Sequence, residues 1–575
     1  MTQIFSVLWP EILLVAVGSL LLLAGVVQSA AVRRAAPVAA LVTLGIVFVA
    51  FFNQGPLSHA DADKWNTVSV YTFQQYVKLI AAGIGILLML LAWPTNDDAT
   101  GNPAIQYGHE AGEFFGLMLL SLAGILFVAS ANDIIVLFLG IELASIPTYI
   151  MVSISRPLPV AQEAGVKYFF LGAMAAAVML FGFSYLYGTT GQTKLTEIAR
   201  VIQLGGPNHQ WQMMAVIMLL AGFSFKIAAV PLHTYAGDVY QGAATPVMAF
   251  LGFVPKTSGF VAILKVLYFV SQTPAGGHWV VPTTIARFLW VIAVLTMFVG
   301  NFLGVPQQNV KRVLAYSSVT HTGYMLCGVT ALVSTPDPHV QAAALGGVLF
   351  YLAAYGIMNT GAAGVLILLP SRDGGIAGYL EPADPETPKV AAATGTSAET
   401  FDDIAGQSRR HLFVCIAMAI FCWSLTGLPF TVGFFAKFYL IWPIWQASHT
   451  NPAMSRWLVW LGVLLVVNAA ISAGYYLRII GAMFLRGESA GSVPSPEVHP
   501  EHPAHLEQHH RIPILHPVPI VAGVALAALG TLLLGVDFPA INHLSRRTTS
   551  ARIEPEATPA SHVANADTPA VVSSR

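Results

Sequence analysis

Charge is what this sequence has least of. Of 575 residues only 10% are Asp, Glu, Lys or Arg, against about 25% in soluble domains. The formal net charge is -1 at pH 7, which gives no hint of a nucleic-acid partner. Cysteine is scarce as well. Cys327, Cys415 and Cys422 sit singly in apolar runs and form no CxxC pair, so no disulfide framework, zinc site or iron–sulfur ligand set can be read. There is no GxGxxG turn after a strand and no phosphate-cradling loop. No redox cofactor, metal or nucleotide is therefore expected on this chain.

What is there is apolar. Hydrophobic residues make up 55% of the chain and the mean hydropathy is +0.68. A chain solvated by lipid needs such a composition, whereas a single large core does not. Runs of about 18–25 apolar residues, long enough to cross a bilayer as helices, recur about fourteen times. They lie near 8–28, 35–53, 71–93, 113–131, 133–154, 160–187, 211–240, 243–270, 284–304, 308–333, 339–369, 411–445, 455–485 and 515–537. Barrel strands would alternate rather than run continuously, so the expected class is an all-α polytopic membrane protein. The first run, MTQIFSVLWPEILLVAVGSLLLLAGVV, lacks a basic leader and a small-residue cleavage site and is read as a retained span.

Basic residues set the orientation. With Arg33 and Arg34 inside, Arg156, Lys311, Arg312, Arg372, Lys389, Arg409, Arg410, Arg486 and Arg511 also fall inside. Only Lys64, Lys194, Arg200 and Arg456 fall outside. That asymmetry places both termini outside, with Arg546, Arg547 and Arg552 of the tail counting mildly against it. Two segments are polar. Residues 371–410 read as a flexible cytoplasmic insert. Residues 487–516 are His/Pro-rich, and their irregular spacing favours a surface loop over a metal site.

The few charges inside spans carry the chemistry. A charged residue at a span centre costs about 2.5–3.5 kcal/mol on insertion scales, so those that persist usually face a protein interior or a water path. Glu142 lies midway along DIIVLFLGIELASIPTYIMVSI. Lys226 lies midway along the seventh run, five residues before Pro231, with His233 beyond it. Proline removes a donor and crowds the preceding turn, which frees carbonyls that can solvate an ammonium. Lys437 follows Pro429 in LTGLPFTVGFFAKFYLIW in the same manner, five spans later. The recurrence is a sign of internal repeats with discontinuous helices. Lys256, in FLGFVPKTSGF, is read as buried, and Lys265, nine residues on, as reaching the interface. Ser317, His321 and Tyr324 form one polar stripe. Tyr351, Tyr355 and Asn359 form another that packing explains nearly as well. Glu163 and Lys167 read as an i,i+4 ion pair, with Lys167 a secondary candidate. Glu11, Lys78 and Glu113 lie near span ends and read as interfacial.

Each lone charge also has a bland reading, as a packing carboxylate or a satisfied core histidine. Together they are a series of titratable groups in low dielectric. An ammonium is costly there unless a carboxylate stands beside it. A lysine whose partner can move is thus a switchable proton site.

The stretches GFSFKIAAVPLHTYAGDVYQGAATPVMAFLGFVPKTSGF, EAGVKYFFLGAMAAAVMLFGFSYLYGTTGQTKLTEIA, QQNVKRVLAYSSVTHTGYML and LTGLPFTVGFFAKFYL resemble the antiporter-like subunits of proton-pumping NADH:quinone oxidoreductase (complex I), those of the subunit N type above all. The resemblance covers most of residues 110–485. It implies fourteen transmembrane helices with two inverted five-helix repeats, spans 4–8 and 9–13, broken at spans 7 and 12. It implies helices 1–3 in residues 1–110, the repeats in 111–270 and 283–486, a loop at 487–514, a last helix at 515–540 and a tail at 541–575. It also implies a proton channel through Glu142, Lys226, Lys256 and Lys437, with Lys167 and His321 at further motif positions. Flavin and iron–sulfur clusters are implied in partner subunits, quinone as substrate of the whole complex, and neighbouring antiporter-like and small membrane subunits as partners in a bacterial inner membrane. Two other functions fit the residues: a subunit of a related cation/proton antiporter or hydrogenase-type complex, and a structural anchor with degenerate charges.

Overall fold

The computed structural model describes residues 2–27, 30–53, 72–93, 111–155, 159–204, 209–271, 281–369, 398–487 and 518–536. Among them there is no strand, only helices. In chain order these are α1 (Thr2–Gly25), α2 (Ala30–Asn53), α3 (Thr72–Leu91), α4 (Ala111–Ser130), α5 (Ile134–Ile154), α6 (Pro159–Thr190) and the short α7 (Leu195–Gln203). Then come α8 (His209–Lys226), α9 (Ala236–Gly242), α10 (Thr245–Val270), α11 (Thr283–Gly304), α12 (Val310–Ser334) and α13 (Pro338–Leu368). The last are α14 (Phe401–Ile404), α15 (Leu412–Thr426), α16 (Val432–Thr450), α17 (Ser455–Phe484) and α18 (Val518–Val536).

Eleven described helices are long and apolar enough to cross a membrane, or up to 12 if one bent pair is counted. This is a multi-pass membrane protein. The sequence count is higher for a physical reason: α12 carries the polar stripe of Ser317 and His321, and the seventh and twelfth runs are each split into two helices.

The helices surround α10, whose whole length is buried. It touches α4, α5, α8, α9, α12 and α13. Without a hydrophobic drive between helices in lipid, close approach depends on small residues. Gly259 supplies it here, because a Cβ at that position would sit 2.7 Å from Ile227 and 3.1 Å from the Cβ of Lys226. The central position of α10 also overturns one expectation. Lys265 is buried, not interfacial, and donates to the carbonyl of Ala131 at 2.5 Å. On a helix packed on all sides, a half-turn change of face does not lead to lipid.

Two backbone bridges link helix starts to distant loops. Asp133 pairs with Lys194, and Asn309 with Thr400. At the first, Ile134 N donates to Thr193 O (2.9 Å) and Leu195 N to Asn132 O (2.9 Å). At the second, Val310 N donates to Glu399 O (2.7 Å) and Phe401 N to Gln308 O (3.3 Å). Asp133 and Asn309 both cap the helix that follows.

Residues 398–410, read from sequence as the end of a flexible insert, are folded. Thr400 and Asp403 form a reciprocal capping box on α14, and Glu399 pairs with Lys311 at 3.3 Å. Lys311 is fully buried on α12 and so is not a loop charge. Residues 371–397, 488–514 and 541–575 lie outside the described residues, as do Lys64, Arg156, Arg372, Lys389 and Arg511.

Glu11 and Lys78 are also not interfacial. They form an ion pair of 2.5 Å between α1 and α3, with side chains 0% and 3% exposed, and Lys78 lies over the Phe51 ring. Lys78→Met is expected to destabilise the fold by about 3–5 kcal/mol, because it leaves Glu11 buried and unpaired. The Glu11→Leu, Lys78→Leu double variant should recover most of that. Thermal unfolding of the purified protein checks both.

Candidate functional site

Lys226 is the last residue of α8, so its ammonium stands at the negative end of the helix dipole. It is 2% exposed. Its Nζ donates to Glu142 Oε1 at 3.0 Å, Ser145 Oγ at 2.9 Å and Tyr149 Oη at 3.1 Å. These three residues are spaced i, i+3 and i+7 on α5, which puts them on one face of that helix. The Tyr149 and Phe225 rings flank the ammonium at 5.7 and 5.9 Å. The Glu142 side chain keeps 16% of its exposure, so it is mostly but not fully buried.

The break starts earlier than the proline. Ala228 takes a left-handed backbone (φ 55), a conformation costing about 1–2 kcal/mol for a residue with a Cβ. Ala229 N reaches back to Ser224 O at 2.8 Å, and Val230 N turns to Thr296 Oγ1 at 3.1 Å. Thr322 Oγ1 takes the Ile227 carbonyl at 2.7 Å. The helix thus ends at Lys226, and the carbonyl expected to be freed by Pro231 is held by α12. Pro231 lies in the connection before α9. His233 is buried in the same connection, with Nδ1 making no hydrogen bond among the described residues. No bond joins it to Lys226.

Thr322 links the break to the next lysine. Lys256 Nζ donates to Thr322 Oγ1 at 3.0 Å and to the Ser318 carbonyl, and it lies 5.5 Å from the Tyr355 ring. His321 follows on α12, 1% exposed, with its ring 4.9 Å from that of Tyr355 and 5.4 Å from that of Tyr324. Lys437, on α16, has its Nζ 5.1 Å from the centre of the Tyr324 ring. Its Nζ donates to the carbonyls of Leu425 (2.9 Å) and Thr426 (2.6 Å), the last two residues of α15. Gly427 permits this. Its φ is 87, and a Cβ there would sit 2.8 Å from Lys437 Cδ. Pro429 lies in the second break, between α15 and α16.

Glu142, Lys226, Lys256, His321 and Lys437 thus follow one another in a line of contacts: an ion pair, then the Ile227 carbonyl with Thr322, then the Tyr355 and Tyr324 rings. Lys167 stands apart. It pairs with Glu163 at 2.6 Å, as its spacing suggests, and with Asp238 of α9 at 3.0 Å. Asp238 also holds Arg312 at 2.9 Å. Sequence reasoning missed Ser145, Tyr149, Thr322 and Asp238. The stripe of Glu142, Ser145 and Tyr149 was the available signal for the first two.

The family described as NADH:quinone oxidoreductase/Mrp antiporter, transmembrane, matches residues 131–461. The chain belongs to this family. It is 33% identical, over 483 residues, to NADH-quinone oxidoreductase subunit N from Trichlorobacter lovleyi, covering 84% of this chain and 88% of that one. Among solved structures, its fold matches a chain of respiratory complex I from Thermus thermophilus with a TM-score of 0.67, at 24% identity and over 94% of this chain and 99% of that one. It also matches a chain of the Mrp complex from Dietzia, with a TM-score of 0.66 at 19% identity and 94% and 97% coverage. The line from Glu142 to Lys437 thus lies within residues matched by the family.

Proposed function

We propose that this chain conducts protons across the membrane along Glu142, Lys226, Lys256, His321 and Lys437, as the antiporter-like subunit of a proton-translocating NADH:quinone oxidoreductase. The observation that carries the reading is the Lys226 ammonium, held by Glu142 and two hydroxyls at the end of a broken helix. The carboxylate accepts from the ammonium, and breaking that bond frees the lysine to pass its proton toward Thr322 and Lys256. Lys437, bonded to carbonyls and to no carboxylate among the described residues, is the group poised to release a proton. Lys167 and His233 are secondary members, near the line but not in it. Pro231 and Pro429 keep the two breaks from closing into continuous helix.

In this reading the chain is non-redox. Flavin and iron–sulfur clusters belong to partner subunits, quinone is the substrate of the assembly, and neighbouring membrane subunits are its contacts. The chain has fourteen spans, counting each broken pair once, in two inverted repeats within 111–270 and 283–486. Three pieces of geometry support the repeats. Each has a bridge between the start of its second span and the loop after its third, a polar cap on that second span, and a break beside a lysine. The membrane is the bacterial inner membrane, with both termini outside.

A cation/proton antiporter is the second reading, favoured by the family's description, which includes the Mrp antiporter, and by the shared fold of the Mrp chain. Purification of the native protein decides. Co-isolation with flavin- and iron–sulfur-bearing subunits is the expected result, and isolation with other antiporter subunits alone contradicts it.

A further inference from the structure

Both ring nitrogens of His321 are held by phenols. Nδ1 lies 2.7 Å from Tyr351 Oη and Nε2 lies 2.9 Å from Tyr476 Oη. The Tyr476 hydroxyl is bonded in turn to Ser317 Oγ. Tyr351 comes from α13, Tyr476 from α17, and Ser317 and His321 from α12. All four are at most 1% exposed. Phenylalanine would fill the same space, so packing alone does not account for two hydroxyls from separate helices meeting one imidazole.

We propose that Ser317, Tyr476, His321 and Tyr351 form a hydroxyl–imidazole proton wire, a branch of the second half of the chain that does not pass through Lys226. This rests on the proton-conducting reading above. Neutral imidazole has one donor and one acceptor nitrogen, so one phenol must accept from it and the other donate to it. The wire is therefore polarised. A proton arriving at Ser317 Oγ displaces the hydroxyl proton to Tyr476 Oη. The Tyr476 proton moves to Nε2, the Nδ1 proton moves to Tyr351 Oη, and the Tyr351 proton passes to the neutral amine of Lys437, with the Tyr324 ring between them. One proton is carried, Lys437 ends as an ammonium, every group of the wire ends with the number it began with, and the imidazole changes tautomer. The hydroxyls and the tautomer must then be reset, so the wire passes one proton per cycle.

Its position fits a separate inlet. Ser317 lies seven residues into α12, about 10 Å along the axis from the Val310 end, which is the inner end in the proposed orientation. Tyr351 lies near the middle of α13. Tyr316, next to Ser317 on α12, turns its hydroxyl to Gly237, where a Cβ would sit 2.7 Å from it, and serves as a control.

The test is the ratio of protons pumped to NADH oxidised in inverted membrane vesicles carrying the whole complex. Tyr476→Phe and Tyr351→Phe are expected to lower it by part of this chain's share, while Tyr316→Phe leaves it unchanged. A wild-type ratio in Tyr476→Phe or Tyr351→Phe overturns the proposal, as does an equal fall in Tyr316→Phe. If Tyr476→Phe does not accumulate, Ser317→Ala cuts the same bond and is judged by the same criterion. Lys226→Ala in the same vesicles separates the two ideas. If it pumps normally, the underlying reading fails; if it does not and the tyrosine variants do, only the wire fails.

Discussion

Lys226→Ala is expected to stop proton passage through the first break and to lower the proton-to-NADH ratio of the assembled complex by the share that passes Lys226. A positioned acid or base contributes about 10²–10⁴ to a proton transfer, so its removal leaves no competent path at the first break. Three bonds are lost, to Glu142, Ser145 and Tyr149. The stability loss should fall below the about 3–5 kcal/mol of a fully buried broken pair, because Glu142 keeps 16% exposure and can find other polar partners. Assembly should therefore survive while pumping does not. Fluorescence quenching of a pH dye in inverted vesicles, normalised to NADH oxidation, reads the difference.

Lys437 should separate stability from transport in a second way. Its ammonium is the described donor to the carbonyls of Leu425 and Thr426. Lys437→Ala is expected to abolish pumping and also to destabilise the break, by about 1–3 kcal/mol for each buried acceptor left bare. Lys437→Arg keeps donors for both carbonyls, but a guanidinium is not deprotonated in proteins. It should restore thermal stability and leave pumping as low as in the alanine variant. Recovery of pumping in Lys437→Arg would mean that the side chain acts only as a structural donor.

Sequence alone was informative where cost was high. Glu142, Lys226, Lys256 and Lys437 could be singled out because charge is expensive in an apolar span, and the structure pairs the first two and buries all three lysines. Their hydroxyl partners were hidden. Serines and threonines in apolar helices often bond their own preceding turn, as Ser145 does to Ile141 O at 2.7 Å. Their second role depends on which helix crosses them. The stripe of Tyr351, Tyr355 and Asn359 fits packing nearly as well as a relay, and only α12 lying against α13 reveals the bond of Tyr351 to His321.

Lateral position was the other blind spot. Depth along a span can be counted in residues, but whether a helix is central or peripheral cannot. Lys265 was therefore misplaced, and Glu11 and Lys78, each near a span end, were not seen to pair across α1 and α3. The end of the polar insert was missed because its composition is loop-like. Its order comes from a capping box and from Lys311 on another helix.

Lys256 and Lys265 provide the sharpest test of the account, since both are buried lysines on one helix, nine residues apart. Only Lys256 is bonded to Thr322 and through it to the break at Ile227. Lys265 is bonded to the Ala131 carbonyl, away from the line. The deciding measurement is the proton-to-NADH ratio of Lys256→Ala and Lys265→Ala in inverted vesicles with equal amounts of assembled complex. The account predicts a clearly lowered ratio in Lys256→Ala and a near-normal ratio in Lys265→Ala. Equal ratios in the two variants would contradict it, because burial of charge, and not its place in the line, would then be what matters.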